Sequence, residues 1–493
     1  MRQLTIQRTM QIVMFAMLFT LALRIPVDTD TWWHIRSGEY TLNEGFIYED
    51  PFSHTMFGED WINHSWGAQI ILYFVYEILG DVGLALYTAL LATAGMAVLN
   101  QICAGNIYLR AFALALGAAT AAVFWTPRPQ MISFFFSTVV LYLLYDYKIN
   151  GRDRLWFIPP LMLLWVNMHA GFSIGYIFIG GVWVGEFVAN IVQKGKSGLI
   201  PPQGLRKLMI VTLVSVAVLL INPYGFRMLL VPFETVSIGA LRDFIQEWNS
   251  PNFQERQTWP FIIMWIALLG SIGASRKTLG WTDFILISGT TFMALTAGRN
   301  IAVFAVVATP ILTFYSNAAL EERGWVIKPM RYATKQQARL NLGIIVLILG
   351  GVLINAVSIL SPATVDAAQR EHLPVQLAEY IEMEQPPGPM LNSYNWGGYL
   401  MFALPDYLVY TDGRTDLYGD EFLTRYIQTI IGANDWLAVL EEDGINMVAI
   451  EEGSGLARNL AEEPGWSQVY PNDDYPDEGR VIFVRENEVN DAD

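Results

Sequence analysis

The sequence predicts a mainly α-helical protein: a polytopic transmembrane bundle of about 11 spans with its amino terminus inside, followed by a small α/β extracytoplasmic domain. Three observations carry that reading. The chain is 53% hydrophobic and only 15% charged, whereas soluble domains carry roughly a quarter charged residues. Apolar runs of spanning length recur, separated by short basic connections. Acidity is confined to the end: residues 361–493 hold 26 Asp and Glu against 6 Arg and no Lys, a net −20, while the first 360 residues net +4.

Residues 1–9 are short and basic and lead into an apolar run over 10–23. Arg24-Ile25-Pro26 follows instead of a small-x-small cleavage site, so the run is read as an uncleaved first span. Expected spans cover 10–24, 82–102, 107–125, 130–147, 155–169, 172–192, 207–222, 258–274, 281–297, 300–316 and 341–360. The run 66–79 is shorter and carries Gln69 and Glu77, so it is expected to be an interfacial or re-entrant helix. Orientation follows the basic residues. All seven lysines fall in loops this layout places inside, and the first outer loop, 25–65, has one Arg against eight acids. The expected division is a membrane module over 1–360 and an acidic soluble domain over 361–493, in the cytoplasmic (inner) membrane with the second domain outside.

Within the tail, 375–384, 421–431 and 435–443 read as helices, and 390–393, 408–411, 447–450 and 481–484 as strands. Pro386-Pro387-Gly388-Pro389 marks a loop. The single cysteine, Cys103, excludes an intramolecular disulfide and a cysteine-based metal cluster, and reads as a small core residue. The tail's negative charge disfavours nucleic acid and anionic lipid as partners.

On this topology the polar motifs gather at the outer ends of spans far apart in sequence. They are Asp28-Thr29-Asp30-Thr31-Trp32-Trp33-His34, Asp50-Pro51-Phe52-Ser53-His54, Asn63-His64, Pro127-Arg128-Pro129, Asn167-Met168-His169-Ala170-Gly171, Asn222-Pro223-Tyr224-Gly225 and Gly298-Arg299-Asn300. Ionisable groups near a bilayer are costly and usually face a polar cavity, so an outward-opening cleft lined by Trp33, His34, His64, Asn167, Asn222 and Asn300 is expected. The bland alternative is helix caps and interfacial aromatics. Asp28 and Asp30, spaced i, i+2 in a loop, suit one divalent cation or a base with its orienting partner. Arg128 and Arg299 suit a phosphate, as guanidinium forks match its oxygens, and His169 could donate to the same group. In the tail, Asn395-Trp396-Gly397-Gly398-Tyr399 and Thr411-Asp412-Gly413-Arg414-Thr415-Asp416 read chiefly as turn chemistry.

The whole layout resembles the GT-C class of membrane glycosyltransferases, in particular a bacterial group carrying pieces like Asp28–His34, Asp50-Pro51, Asn63-His64, Arg128-Pro129 and Asn167–Gly171. The resemblance implies transfer of a sugar from a polyprenyl-phosphate donor to an extracytoplasmic glycan, lipid or protein acceptor. It maps the family's loop carboxylate to Asp28 or Asp30, as general base or metal ligand, with Mg or Mn as the optional cation. Arg128, Arg299 and His169 are assigned to the donor phosphate by topology. Two other readings remain at this level: a lipid-linked glycan transporter or flippase, which would place charges deep in spans and show symmetrical halves, and a non-catalytic membrane protein whose acidic tail binds a partner.

Overall fold

The computed structural model describes residues 4–193, 198–239, 246–327, 332–433 and 435–486; the expected inside charges Arg2, Lys194, Lys196, Lys328 and Arg331 lie outside the described residues. The chain packs as two compact units. Unit 1 comprises Met1–Arg24, Leu79–Pro232 and Ile245–Ser361, and unit 2 comprises Ile25–Ile78, Phe233–Phe244 and Pro362–Asp493.

Among the described residues, seven helices are long and apolar enough to cross a membrane: Trp66–Leu99, Ile107–Phe124, Gln130–Asn150, Ala170–Val192, Arg256–Ala274, Gly298–Glu322 and Lys335–Ile359. Ile6–Ala22 and Leu155–Val166 are shorter apolar helices. The expected spans 207–222 and 281–297 correspond to Pro202–Val218 and Trp281–Thr296, of 17 and 16 residues, which at a rise of 1.5 Å reach only about 25 Å. The run 66–79 was expected as a separate helix. It is continuous with the next span except at Gly80 (φ 57°, ψ −145°), a left-handed position that glycine enters without a Cβ clash.

Helix ends in unit 1 are set locally. The Thr334 hydroxyl and the Gln337 amide close a capping box on Lys335–Ile359, and Gly151 ends Gln130–Asn150 in the left-handed conformation. Ile301–Glu322 is the most enclosed helix, buried over most of its length around Pro310. The Glu186 carboxylate is buried but satisfied, by Lys148 Nζ at 2.8 Å, the Thr282 hydroxyl at 2.6 Å and the Ile200 N–H at 2.8 Å.

Unit 2 is built on a four-stranded sheet of β1 (Met390–Asn392), β2 (Met447–Glu451), β3 (Trp466–Tyr470) and β4 (Arg480–Arg485) in the order β1-β2-β4-β3. β1 and β2 are parallel; β4 is antiparallel to both its neighbours. Strand alternation gives the sheet two apolar faces. Met447, Ala449 and Ile482 face one core with Trp33, Ile47, Phe52 and Trp61 of the segment after the first helix. Val448, Ile450 and Phe483 face another with Tyr410, Tyr426 and Leu440.

Several local expectations are corrected here. Residues 408–411 form no ladder, only a parallel bridge between Ser53 and Val409; the Tyr410 N–H is taken by the Asn392 side chain instead, at 2.7 Å. Asn395–Tyr399 lies inside the helix Tyr394–Ala403 instead of a turn. The helix expected at 421–431 begins earlier, within Thr415–Ile430, and is interrupted at Gly419. The helices Pro362–His372 and Gly455–Glu462 and the strand β3 were not anticipated.

Candidate functional site

Asp28 and Asp30 begin unit 2. The Asp28 carboxylate accepts the Asp30 N–H at 3.0 Å, an Asx turn that starts the helix Asp30–Asn43. Asp30 is therefore the first residue of a helix, not a loop acid, and its charge lies at the positive end of the helix dipole. Its Oδ1 accepts the Trp33 indole N–H at 3.3 Å. Trp33 is buried and meets Trp61 edge-on.

Both tail motifs press on this segment. A Cβ on Gly413 would lie 2.0 Å from Asp30 Oδ1, and one on Gly398 would lie 2.6 Å from the Thr29 carbonyl and 3.0 Å from Trp33 Cδ1. These glycines permit close approach; they are not turn formers. Beside them Arg414, fully buried, donates from Nη1 to Asp50 Oδ1 at 2.5 Å, from Nη2 to Asp412 Oδ2 at 2.7 Å and from Nε to Asp412 Oδ1 at 2.8 Å. Its guanidinium lies 4.8 Å from the Trp61 ring centre. Burial alone would lower the Arg414 pKa, but the charges of Asp412 and Asp50 hold it well above its ordinary value.

The nearby histidines have local partners. His34 is buried, and its Nδ1 pairs with Gln69 Nε2 at 3.2 Å, while Gln69 Oε1 accepts from Asn63 at 2.6 Å. His64 Nδ1 pairs with the Ser65 hydroxyl at 2.8 Å. Among the described residues, no group of three or more His, Cys, Asp or Glu side chains could hold a metal ion. Asp28 and Asp30 supply two carboxylates, a set that matches Mg²⁺ only when substrate phosphate and water complete the shell.

In unit 1, Arg128 sits in a Pro-Arg-Pro turn before Gln130–Asn150, and Arg299 in the single turn Gly298–Asn300 before Ile301–Glu322. Both reach Glu247: Arg128 Nη2 lies 3.2 Å from Oε2, and Arg299 Nη1 3.5 Å from Oε1. Arg299 also stacks over Trp248 at 4.1 Å. The Gly298 N–H donates to the Asn249 carbonyl at 2.9 Å, tying the Arg299 turn to the segment that carries Glu247. Burial would raise the Glu247 pKa, but the two guanidinium groups outweigh it and hold the carboxyl below its ordinary value.

His169 Nδ1 accepts the Gly171 N–H at 3.0 Å and pairs with the Ser133 hydroxyl at 2.8 Å, and Ser133 in turn accepts the Trp165 indole N–H at 2.7 Å. An Nδ1 so engaged places the proton of a neutral ring on Nε2. Asn167, Asn222 and Asn300 direct their amides to backbone carbonyls at helix ends: Leu163 and Ile221, Leu219 and Gly225, and Met293.

The sequence-derived residues thus fall into two groups. Asp28, Asp30, Trp33, His34 and His64 belong to unit 2, and Arg128, Asn167, His169, Asn222, Arg299 and Asn300 to unit 1. Sequence reasoning missed Glu247 altogether and missed the pairing of Asp50 with Arg414. An acidic residue beside Trp248 in a connection between spans was the available signal for the first. For the second it was an arginine flanked by acids at both i±2 positions in a tail with few bases.

No protein-family model and no curated protein matches the sequence. Among solved structures, the chain is similar to the archaeal oligosaccharyltransferase AglB from Archaeoglobus fulgidus, in complex with an inhibitory peptide and a dolichol-phosphate. The TM-score is 0.57 at 12% identity, over 90% of this chain and 69% of that one. It is also similar to ArnT from Cupriavidus metallidurans bound to undecaprenyl phosphate, with a TM-score of 0.52 at 15% identity over 97% of both chains. The chain accordingly has the fold of the GT-C membrane glycosyltransferases, as the sequence motifs led us to expect.

Proposed function

We propose that this protein transfers a sugar from a polyprenyl-phosphate-linked donor to an extracytoplasmic acceptor. The reading is supported by the similar structures, one an oligosaccharyltransferase in complex with a dolichol-phosphate and the other bound to undecaprenyl phosphate. The observation that carries the reading is the convergence of Arg128 and Arg299, from turns far apart in sequence, on one anionic group. Two guanidinium groups sharing an anion match the leaving phosphate of a lipid-linked sugar, whose developing charge they would stabilise. His169, with its ring oriented by Ser133 and Gly171, is a third donor to that phosphate.

Asp30, or Asp28 behind it, takes the acceptor's proton as general base. Where Mg²⁺ or Mn²⁺ takes part, the same two carboxylates would hold it, and it would supply positive charge as a Lewis acid. The proposed layout keeps the amino terminus inside, with about 11 crossings of the cytoplasmic membrane and the acidic domain over 361–493 outside.

The test is turnover of polyprenyl-phosphate sugars by the full chain in detergent or liposomes. Asp30→Asn and Asp28→Asn should lower transfer by about 10²–10⁴-fold, the range expected for loss of a general base, at unchanged expression and thermal stability. Full activity in the double variant would remove the mechanism.

A further inference from the structure

Glu247 has no assigned role in the reading above, yet it occupies the position that reading gives to phosphate. One carboxylate oxygen faces each arginine, at 3.2 Å for Arg128 and 3.5 Å for Arg299. Two oxygens of a phosphate monoester or diester would divide between the same guanidinium groups in the same way. The group is also within reach of a ligand, because the Glu247 and Arg299 side chains are each 30% exposed and Arg128 is 13% exposed. Trp248, the next residue, holds the Arg299 guanidinium over its ring at 4.1 Å without supplying a charge, so that arginine keeps a partner when the carboxylate leaves.

We infer that Glu247 is an internal counter-ion seated in the anion site between Arg128 and Arg299, and that a phosphate-bearing lipid binds by displacing it. The inference rests on those two arginines being the phosphate site. Its physical content is a competition. With Glu247 seated, two cations share one carboxylate and their mutual repulsion is relieved. A ligand of net charge −1 to −2 replaces one carboxylate, and its apparent affinity is reduced by the fraction of molecules in which the seat is already taken. Glu247 is then a residue that sets affinity and release, and removing its charge should strengthen phosphate binding. A residue that merely positions the arginines would behave in the opposite way, since its loss would loosen them.

Equilibrium binding of undecaprenyl phosphate to the detergent-purified full chain separates these outcomes. Glu247→Gln should bind about three- to tenfold more tightly than wild type, the gain expected when a seat mostly occupied becomes free. Glu247→Asp, whose shorter arm cannot span both arginines, should shift the same way by less, which keeps the test available if the amide variant folds poorly. Glu255→Gln removes an equal charge from the same connection and should change affinity less than about twofold, a generic screened effect. Weaker or unchanged binding in both Glu247 variants overturns the inference, as does an equal gain in Glu255→Gln. The phosphate-site reading has its own control: Arg128→Ala combined with Arg299→Ala should weaken binding by tenfold or more. If that double variant binds like wild type, the site assignment fails, whatever Glu247 does.

Discussion

Arg414 and Asp50, 364 positions apart, form an ion pair whose side chains are both fully buried. Asp412 and the Tyr418 hydroxyl, which donates to Asp412 at 2.8 Å, complete the cluster. Asp50 is itself held in place by the N–H groups of Phe52 and Ser53, at 3.1 and 3.0 Å. Residues 25–78 and the tail therefore share more than apolar contact. A charge from one is neutralised inside the other, and the unit that presents Asp30 is a composite of both segments.

Removing one member of a buried ion pair strands its partner, which typically costs about 3–5 kcal/mol. Arg414→Ala should accordingly lower the thermal stability of unit 2 by an amount in that range. It should also expose 25–78 to proteolysis, read by limited digestion in detergent. Arg414→Lys should not rescue it, because an ammonium cannot present the three planar donors that Asp412 and Asp50 engage. A loss of less than about 1 kcal/mol, the scale of a surface pair, would show that the cluster contributes little.

Gly413 gives a more local probe of the acidic motif. An added Cβ would come within 2.0 Å of Asp30 Oδ1, so Gly413→Ala forces the carboxylate or the 411–416 segment to move. A displacement near 1 Å at a reacting group can cost about 10²-fold in rate. We expect a fall of that order in kcat, with the KM for the lipid donor changed much less. The paired measurement is thermal stability, which should fall by less than in Arg414→Ala. Unaltered kcat would mean that the position of Asp30 is irrelevant to transfer.

How far the sequence could be read depends on the range of the physics involved. Helix runs, the break at Gly80 and the strands around Met447 and Val481 follow from local apolar pattern and one flexible residue, and all are legible in it. The helix Tyr394–Ala403 was hidden because Asn395, Gly397 and Gly398 resemble a turn. The glycines are there for close packing on Thr411 and Trp33, which is visible only once the fold exists. Strand β3 was hidden because it is an edge strand whose Ser467 and Gln468 break the apolar alternation. The acids near Asp30 were visible, but an Asx turn and a first helical turn use the same residues as a loop. Glu247 beside Trp248 and Arg414 between Asp412 and Asp416 leave a local trace, but the pairings Arg414–Asp50 and Arg128–Glu247–Arg299 do not, because each distant partner alone reads as an ordinary surface charge.

Acid should unseat Glu247. Its carboxyl is held below the ordinary value in the folded protein, so its protonated form is disfavoured there relative to the unfolded chain. The pairing therefore stabilises the fold fully above the usual glutamate range and is lost as pH falls through the depressed folded value. The melting temperature of wild type should exceed that of Glu247→Gln at neutral pH, and the gap should close on acidification below about pH 4, the ordinary range for glutamate. A gap that persists unchanged at low pH would mean that the charge on Glu247 is not what stabilises the pair of turns.

The two arginines should act as a unit. Each is within reach of the same carboxylate, and residues sharing one partner usually show coupling of about 0.5–3 kcal/mol in a double-mutant cycle. Arg128→Ala and Arg299→Ala should each raise the KM for a polyprenyl-phosphate sugar and lower kcat, because a phosphate held by both guanidinium groups is both the binding handle and the leaving group. The double variant should lose less than the product of the single losses, since a phosphate deprived of one fork is already poorly held by the other. Conservative replacement sharpens the point: Arg299→Lys keeps the charge but gives up the flat stack on Trp248, so it should recover part of the KM and little of the kcat. Multiplicative single and double losses in steady-state kinetics would mean that the two turns bind different parts of the substrate, and the shared phosphate seat would be withdrawn.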